Sequence, residues 1–147
     1  MKKILLIIIV VIAVYGFAEK IPGIFSNDTL TGSEISESDL SVEKAFNNRQ
    51  SDIQVGGSGK VIKILPDDTK GSRHQKFIIR LNSGQTLLIA HNIDIAPRIS
   101  DLNVGNYINF YGEYEWNSKG GVIHWTHHDP GGHHEDGWLN HDGKTYQ

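Results

Sequence analysis

The sequence predicts a mainly β domain, a small closed barrel, behind a short helix and a hydrophobic N-terminal segment. Three observations carry this. From Val55 onward, apolar and polar residues alternate with a period of two, in short runs separated by Gly, Asn, Asp, Ser and Pro turns. There are five such runs, and the connection between the third and fourth is longest, which is the element order of a five-stranded Greek-key barrel of the OB type. The chain has no cysteine. Disulfides and thiolate metal sites are therefore excluded. A barrel closed on itself lets short strands dispense with covering helices. An open β-sandwich of the same strands is the alternative architecture.

The elements follow in chain order. Met1-Lys2-Lys3 precedes an unbroken apolar run from Ile4 to Tyr15 and then Gly16-Phe17-Ala18. Two lysines, a short apolar run and small residues match a secretory signal peptide with cleavage after Ala18. The run is short of the roughly 20 residues of a spanning helix. Left uncut, residues 4–18 would anchor the chain to the inner membrane. Either way the domain is expected to be exported, to the periplasm or beyond the cell. Residues 19–54 form a polar tether, with one helix expected over Ser38–Asn48 that sets Phe46 against the domain. Residues 55–147 form the barrel and a His-rich C-terminal extension.

The first strand, Val55–Leu65, carries Gly56, Gly57 and Gly59, a sign of tight curvature or a bulge. Pro66 to Ser72 is a turn. In the second strand, His74–Leu81, Gln75, Phe77, Ile79 and Leu81 point one way and His74, Lys76, Ile78 and Arg80 the other. Asn82-Ser83-Gly84 turns into Gln85–His91. Residues 92–102 are irregular or one helical turn, broken at Pro97. In the fourth strand, Tyr107–Trp116, Ile108, Phe110, Tyr114 and Trp116 face inward. Asn117 to Gly120 turns into the fifth strand, Gly121–His128, which ends before Pro130.

The net charge is −3, and it is uneven. Residues 19–54 hold seven acids and three bases, residues 55–98 seven bases and three acids, and residues 99–147 seven acids and two bases. A dedicated nucleic-acid binder shows a basic excess, so nucleic acid is not the favoured partner. A local basic face from Arg73, His74, Lys76 and Arg80 could hold an anion, although such charges are more often the solvated side of a barrel.

Six of the eight histidines fall between His124 and His141. Imidazole and carboxylate are the zinc ligands left when thiolate is absent. In an extended chain His127 and Asp129 share a face, and Pro130-Gly131-Gly132 can return His134 to it. His124, at the far end of the strand, joins them only if a bulge turns it over, and His124, His127, Asp129 and His134 are then the expected ligands of a divalent metal such as zinc. No H-E-x-x-H motif is present, and a His-rich tract can equally be solvated surface. A ligand site is expected from Arg73, His74, His91, at the end of a strand, and Trp138. Trp116 is expected in the core. No G-x-S-x-G elbow, P-loop or dinucleotide fingerprint occurs.

Six strings bear a family likeness: Leu65-Pro66-Asp67-Asp68, Gly71 to Phe77, Leu88 to Asp94, Tyr111 to Asn117, Gly120 to Pro130 with its His124-Trp125-Thr126-His127-His128-Asp129-Pro130 core, and Gly143 to Gln147. With them, from Phe46 to the C-terminus, the chain resembles an uncharacterised family of small exported bacterial proteins, domain of unknown function 3465. The resemblance implies export and marks positions matching His74, His91, His124, His127, Asp129, His134 and His141, leaving out His133. It supplies no activity. Three functions compete on this sequence. The first is an extracytoplasmic binding module of unknown ligand, with or without a divalent metal, and it is preferred over an enzyme. The second is a metal-dependent hydrolase of nuclease or phosphodiesterase type. The third is a single-stranded nucleic-acid or glycan binder using tryptophan stacking.

Overall fold

The computed structural model describes residues 37–147. The expected leader or anchor, its apolar helix and most of the tether lie outside these residues. No helix among the described residues is long and apolar enough to cross a membrane. The domain is a mainly β structure with a closed five-stranded barrel and one short helix before it.

Helix α1 spans Glu37–Asn47. Glu37 and Asp39 lie in its first turn and Lys44 in its last, the charge order that opposes the helix dipole. Val42 and Ala45 are buried. Phe46 stacks on Trp116 at 6.3 Å, and the Trp116 indole N–H donates to the Phe46 carbonyl at 3.0 Å. Trp116 thus packs, partly buried, at the margin of the core rather than within it as expected, because β4 ends at Glu115.

The barrel strands are β1 (Ile53–Ile64), β2 (His74–Leu81), β3 (Thr86–Asn92), β4 (Tyr107–Glu115) and β5 (Val122–His124). They close in the order β1-β2-β3-β5-β4 and back to β1. The β3–β5 pair is parallel and the others antiparallel. β1 serves both sides. Ile53 to Lys60 pair with β4, Gly59 to Ile64 pair with β2, and the register slips between Val61 and Lys63. Such a bulge bends one strand around a small barrel. The inward residues follow the alternation: Phe77, Ile79, Ile89, Ile108, Phe110 and Tyr114 are all under 2 % exposed. Burial of each such side chain contributes roughly 1.5–3 kcal/mol.

Two features depart from the expected strands. The fifth strand stops at His124 rather than His128. Two further strands, β6 (Trp138–His141) and β7 (Lys144–Tyr146), follow it. They form a hairpin turning at Asp142 and Gly143, both with positive φ (49° and 79°). That is the conformation of the two-residue turns that match strand twist. β6 pairs with β4, so the C-terminal segment is sheet rather than a loose extension.

Candidate functional site

The site arises from an interruption of one strand. On the same edge of β4, His124 lies opposite Glu113 and Trp138 lies opposite Tyr111. β5 and β6 are therefore two halves of one line of pairing. Fourteen residues are spent where a regular strand would use two. The excess, Trp125 to Asp136, leaves the sheet as a loop and returns to it. Trp125 starts the departure with φ 52°, a backbone region that costs an aromatic residue about 1–3 kcal/mol and clusters at binding sites. The Gly137 N–H closes the neck on the His127 carbonyl at 3.0 Å. A Cβ on Gly137 would stand 1.9 Å from the Trp125 carbonyl and 2.6 Å from that of Tyr111, so only glycine lets the returning chain pass.

Asp129 organises the loop from inside. Its carboxylate accepts the backbone N–H groups of Gly131 at 2.9 Å, His133 at 2.6 Å and His134 at 2.8 Å. Its own N–H donates to Asp136 at 2.8 Å. These backbone donors hold the Asp129 carboxyl below its ordinary value, with Gly131 the largest cause. Asp136 also takes the His128 ring N–H at 2.8 Å. The chain does reverse at Pro130-Gly131-Gly132, but Asp129 spends its oxygens on that reversal.

The reversal brings His134 back to the barrel. Its ring stacks on Trp125 at 4.3 Å with 5° between planes, and Nε2 bonds Glu113 of β4. Nδ1 faces the Glu135 carbonyl at 3.1 Å. Both ring nitrogens therefore donate. The Glu135 carbonyl and, after it, the Glu113 carboxylate raise the His134 pKa above its ordinary 6.5. The other Glu113 oxygen lies 3.2 Å from His124 Nε2, and Glu115 lies 3.6 Å from the same nitrogen. His127 also touches Trp125, at 5.2 Å between centroids.

Above this cluster opens a cleft of about 300 Å³ lined by Ser72, His74, Asn92, His124, Trp125 and His127, with the exposed Ile95 at its edge. His74 and His124 continue it into a second concavity of about 260 Å³ beside Asp68, Lys76 and Glu115. The start of β2, the end of β3, the end of β5 and the inserted loop all meet here. His74 Nδ1–H donates to the Ser72 carbonyl at 2.8 Å and His127 Nδ1–H to the His128 carbonyl at 2.6 Å. That leaves each Nε2 as the ring's lone-pair acceptor. A larger concavity, about 450 Å³, lies by the β2–β3 hairpin and α1, lined by Phe46 and by residues such as Gln85, Thr86 and Ser118. It contains no imidazole cluster.

The remaining expected residues fall as follows. His91 is fully buried beneath the cleft. Nε2–H donates to the Pro97 carbonyl at 3.0 Å, and Nδ1 accepts from the Thr126 hydroxyl at 2.8 Å. Burial pushes its pKa down to about 4. It ties the β3–β4 connection to the inserted loop and presents no free ring nitrogen. Arg73 lies at the rim, paired with Asp94 at 2.6 Å and more than half exposed. Such a pair contributes about 0–1 kcal/mol. Trp138 lies elsewhere, on the outer face of β6, stacked on Tyr111 at 6.2 Å.

Of the four expected metal ligands, His124 and His134 both turn to Glu113, His127 lines the cleft, and Asp129 is engaged within its loop. Among the described residues no group of three or more His, Asp or Glu side chains is set to hold a metal ion. Glu113, Glu115 and Trp125 were not singled out from the sequence as site residues, whereas Lys76 was expected only as part of a basic anion-holding face. The available signal was the outward side of the β4 alternation, which places two carboxylates beside the strand that carries His124.

No curated protein matches the chain. A family model described as "Protein of unknown function (DUF3465)" matches residues 25–147. It spans the whole barrel, the inserted loop and the closing hairpin, and by that match the chain belongs to this family.

Proposed function

We propose that the protein is an extracytoplasmic, non-catalytic binding module that takes a small polar ligand in the cleft between the Ser72–His74 turn and the inserted loop. One observation carries the reading. Residues far apart in sequence, His74, Asn92, His124, Trp125 and His127, line one concavity of the size small-molecule sites have. Its wall is also pre-formed. Asp129 fixes the loop, Glu113 fixes His134 under Trp125, and His91 fixes the floor. Pre-organisation of this kind lowers the ordering cost of binding. Imidazole acceptors, the Lys76 ammonium and the Asn92 amide offer both donors and acceptors to the ligand. The apolar leader supports placement outside the cytoplasm.

Thermal-shift measurements on tag-free protein test this reading, with zinc chloride, inorganic phosphate, adenosine monophosphate and glutamate as probes. A ligand at a hundredfold excess over Kd adds about 2.7 kcal/mol of stability. The proposal expects one of these probes to raise Tm, and His74→Ala and His124→Ala to abolish the rise. A panel that leaves Tm unchanged, or a rise indifferent to both substitutions, contradicts it. A rise with zinc alone would make the cleft a metal site.

A further inference from the structure

A second surface, separate from the cleft, points to a different ligand. Across β1, β4, β6 and β7 the registers align two outward rows. One reads Gly56, Tyr111, Trp138 and the other Ser58, Asn109, Asn140, Thr145. The two rings stack at 6.2 Å with 25° between planes. A Cβ on Gly56 would lie only 3.3 Å from the Tyr111 ring, so that ring lies down across the glycine rather than standing off the sheet. The Tyr111 hydroxyl is held by Glu135 at 2.5 Å. An open concavity of about 600 Å³ lies over this face, lined by Asn109, Trp138, Asn140, Thr145 and Gln147.

The chemistry of the face is selective. Neither row contains a charged side chain. Charges enter at its margins, with Lys60 beside Tyr107, Glu113 and Glu135 beside Tyr111, and Asp142 and Lys144 at the β6–β7 turn. Asn140 donates to Thr145 at 3.1 Å. Among the described residues, the side chains of Asn109 and Gln147 and the Trp138 indole N–H make no hydrogen bond. The face thus offers two aromatic rings for the C–H face of a sugar, whose hydrogens meet the negative ring face, and a row of amides and hydroxyls that pair with sugar hydroxyls. A phosphate backbone would find no cation in these rows, and phosphate contacts dominate nucleic-acid affinity.

We infer that the outer face of β1, β4, β6 and β7 binds a neutral oligosaccharide, stacked on Trp138 and Tyr111 and hydrogen-bonded by Asn109 and Asn140. The inference stands on this face alone and does not depend on the cleft. Calorimetric titration of the full, tag-free chain with cellotetraose, tetra-N-acetylchitotetraose and maltotetraose tests it, with a dT oligonucleotide as the anionic probe. At least one tetrasaccharide should bind with little dependence on salt. Trp138→Ala should weaken it at least about tenfold, a loss of about 1.4 kcal/mol. Asn140→Ala should weaken it less, and Trp138→Phe should keep most of the affinity. Lys119→Ala, in the turn before β5, should change nothing. If Trp138→Ala does not fold, Asn140→Ala and Trp138→Phe carry the comparison. The inference is overturned if none of the three sugars binds, if Trp138→Ala binds as well as the parent, or if the face proves to mediate self-association or salt-dependent binding of the oligonucleotide.

Discussion

His91 should make the fold acid-sensitive above the pH range of carboxylates. In the folded protein burial holds its pKa at about 4, against an ordinary 6.5. The unfolded chain therefore takes up a proton that the native state refuses, and stability falls as pH drops from about 6.5 to about 4. The difference is worth about 3 kcal/mol, a large part of the 5–15 kcal/mol of a typical domain. Other groups act outside this window. Asp68, Asp94, Asp129 and Asp136 have lowered pKa values, so their stabilisation is lost only near and below 3.8. His134 has a raised pKa, so its stabilisation is fully present below 6.5 and is lost as pH rises through the raised value. Urea unfolding at pH 7, 5.5 and 4.5 reads the slope for wild type and for His91→Gln, which cannot titrate. Wild type should lose about 2–3 kcal/mol over this range, and His91→Gln should start lower and lose much less. A wild-type curve flat across the window, or a His91 ring that titrates near 6.5 by NMR, would refute the buried-imidazole account.

Three further outcomes follow from the inserted loop. Gly137→Ala puts a methyl group 1.9 Å from the Trp125 carbonyl, so it should cost more than about 2 kcal/mol of stability or release the loop, read by urea unfolding and by the Trp125 indole signal. Asp129→Ala strips the acceptor from three backbone N–H groups. It should cost about 1–2 kcal/mol, as loss of a helix cap does, and speed hydrogen exchange at Gly131, His133 and His134 while leaving the barrel amides protected. Glu113→Gln removes one of the causes raising the His134 pKa, so NMR titration should find that pKa moved down toward 6.5.

The barrel was legible in the sequence because its strands are half-buried. Gln75, Phe77, Ile79 and Leu81 alternate with exposed or partly exposed residues, and the burial follows that alternation residue by residue. The β6–β7 hairpin also left a signal that the sequence reading passed over. Asp142-Gly143 is a strong two-residue turn, and Trp138-Leu139-Asn140-His141 alternates before it, with Leu139 and His141 buried. The density of histidines drew attention to side-chain chemistry and away from that period. The site was less legible because its contacts are set by register. Nothing local says that His124 and Trp138 continue one line of pairing on β4, and that line, with the Asp129-braced reversal, places His134 on Glu113. His91 stands at a strand end, where ligand sites often lie, but its ring is occupied by the Pro97 carbonyl six residues on and by the Thr126 hydroxyl 35 residues away in the inserted loop. Asp129 has the chemistry of a metal ligand. Its use as a loop brace follows from the turn geometry of Pro130 to Gly132, which side-chain spacing does not encode.

The central claim is that the inserted loop folds back on the barrel and fixes distant imidazoles around one cleft. Long-range proton–nitrogen correlation of the histidine side chains near pH 6.5 tests it most directly, because each bond described here dictates a protonation pattern. His91 should be neutral with its proton on Nε2. His74 and His127 should carry a proton on Nδ1, and His134 should be doubly protonated in more than half of the molecules. Eight rings sharing one averaged, solvent-like pattern and titrating together would contradict the account.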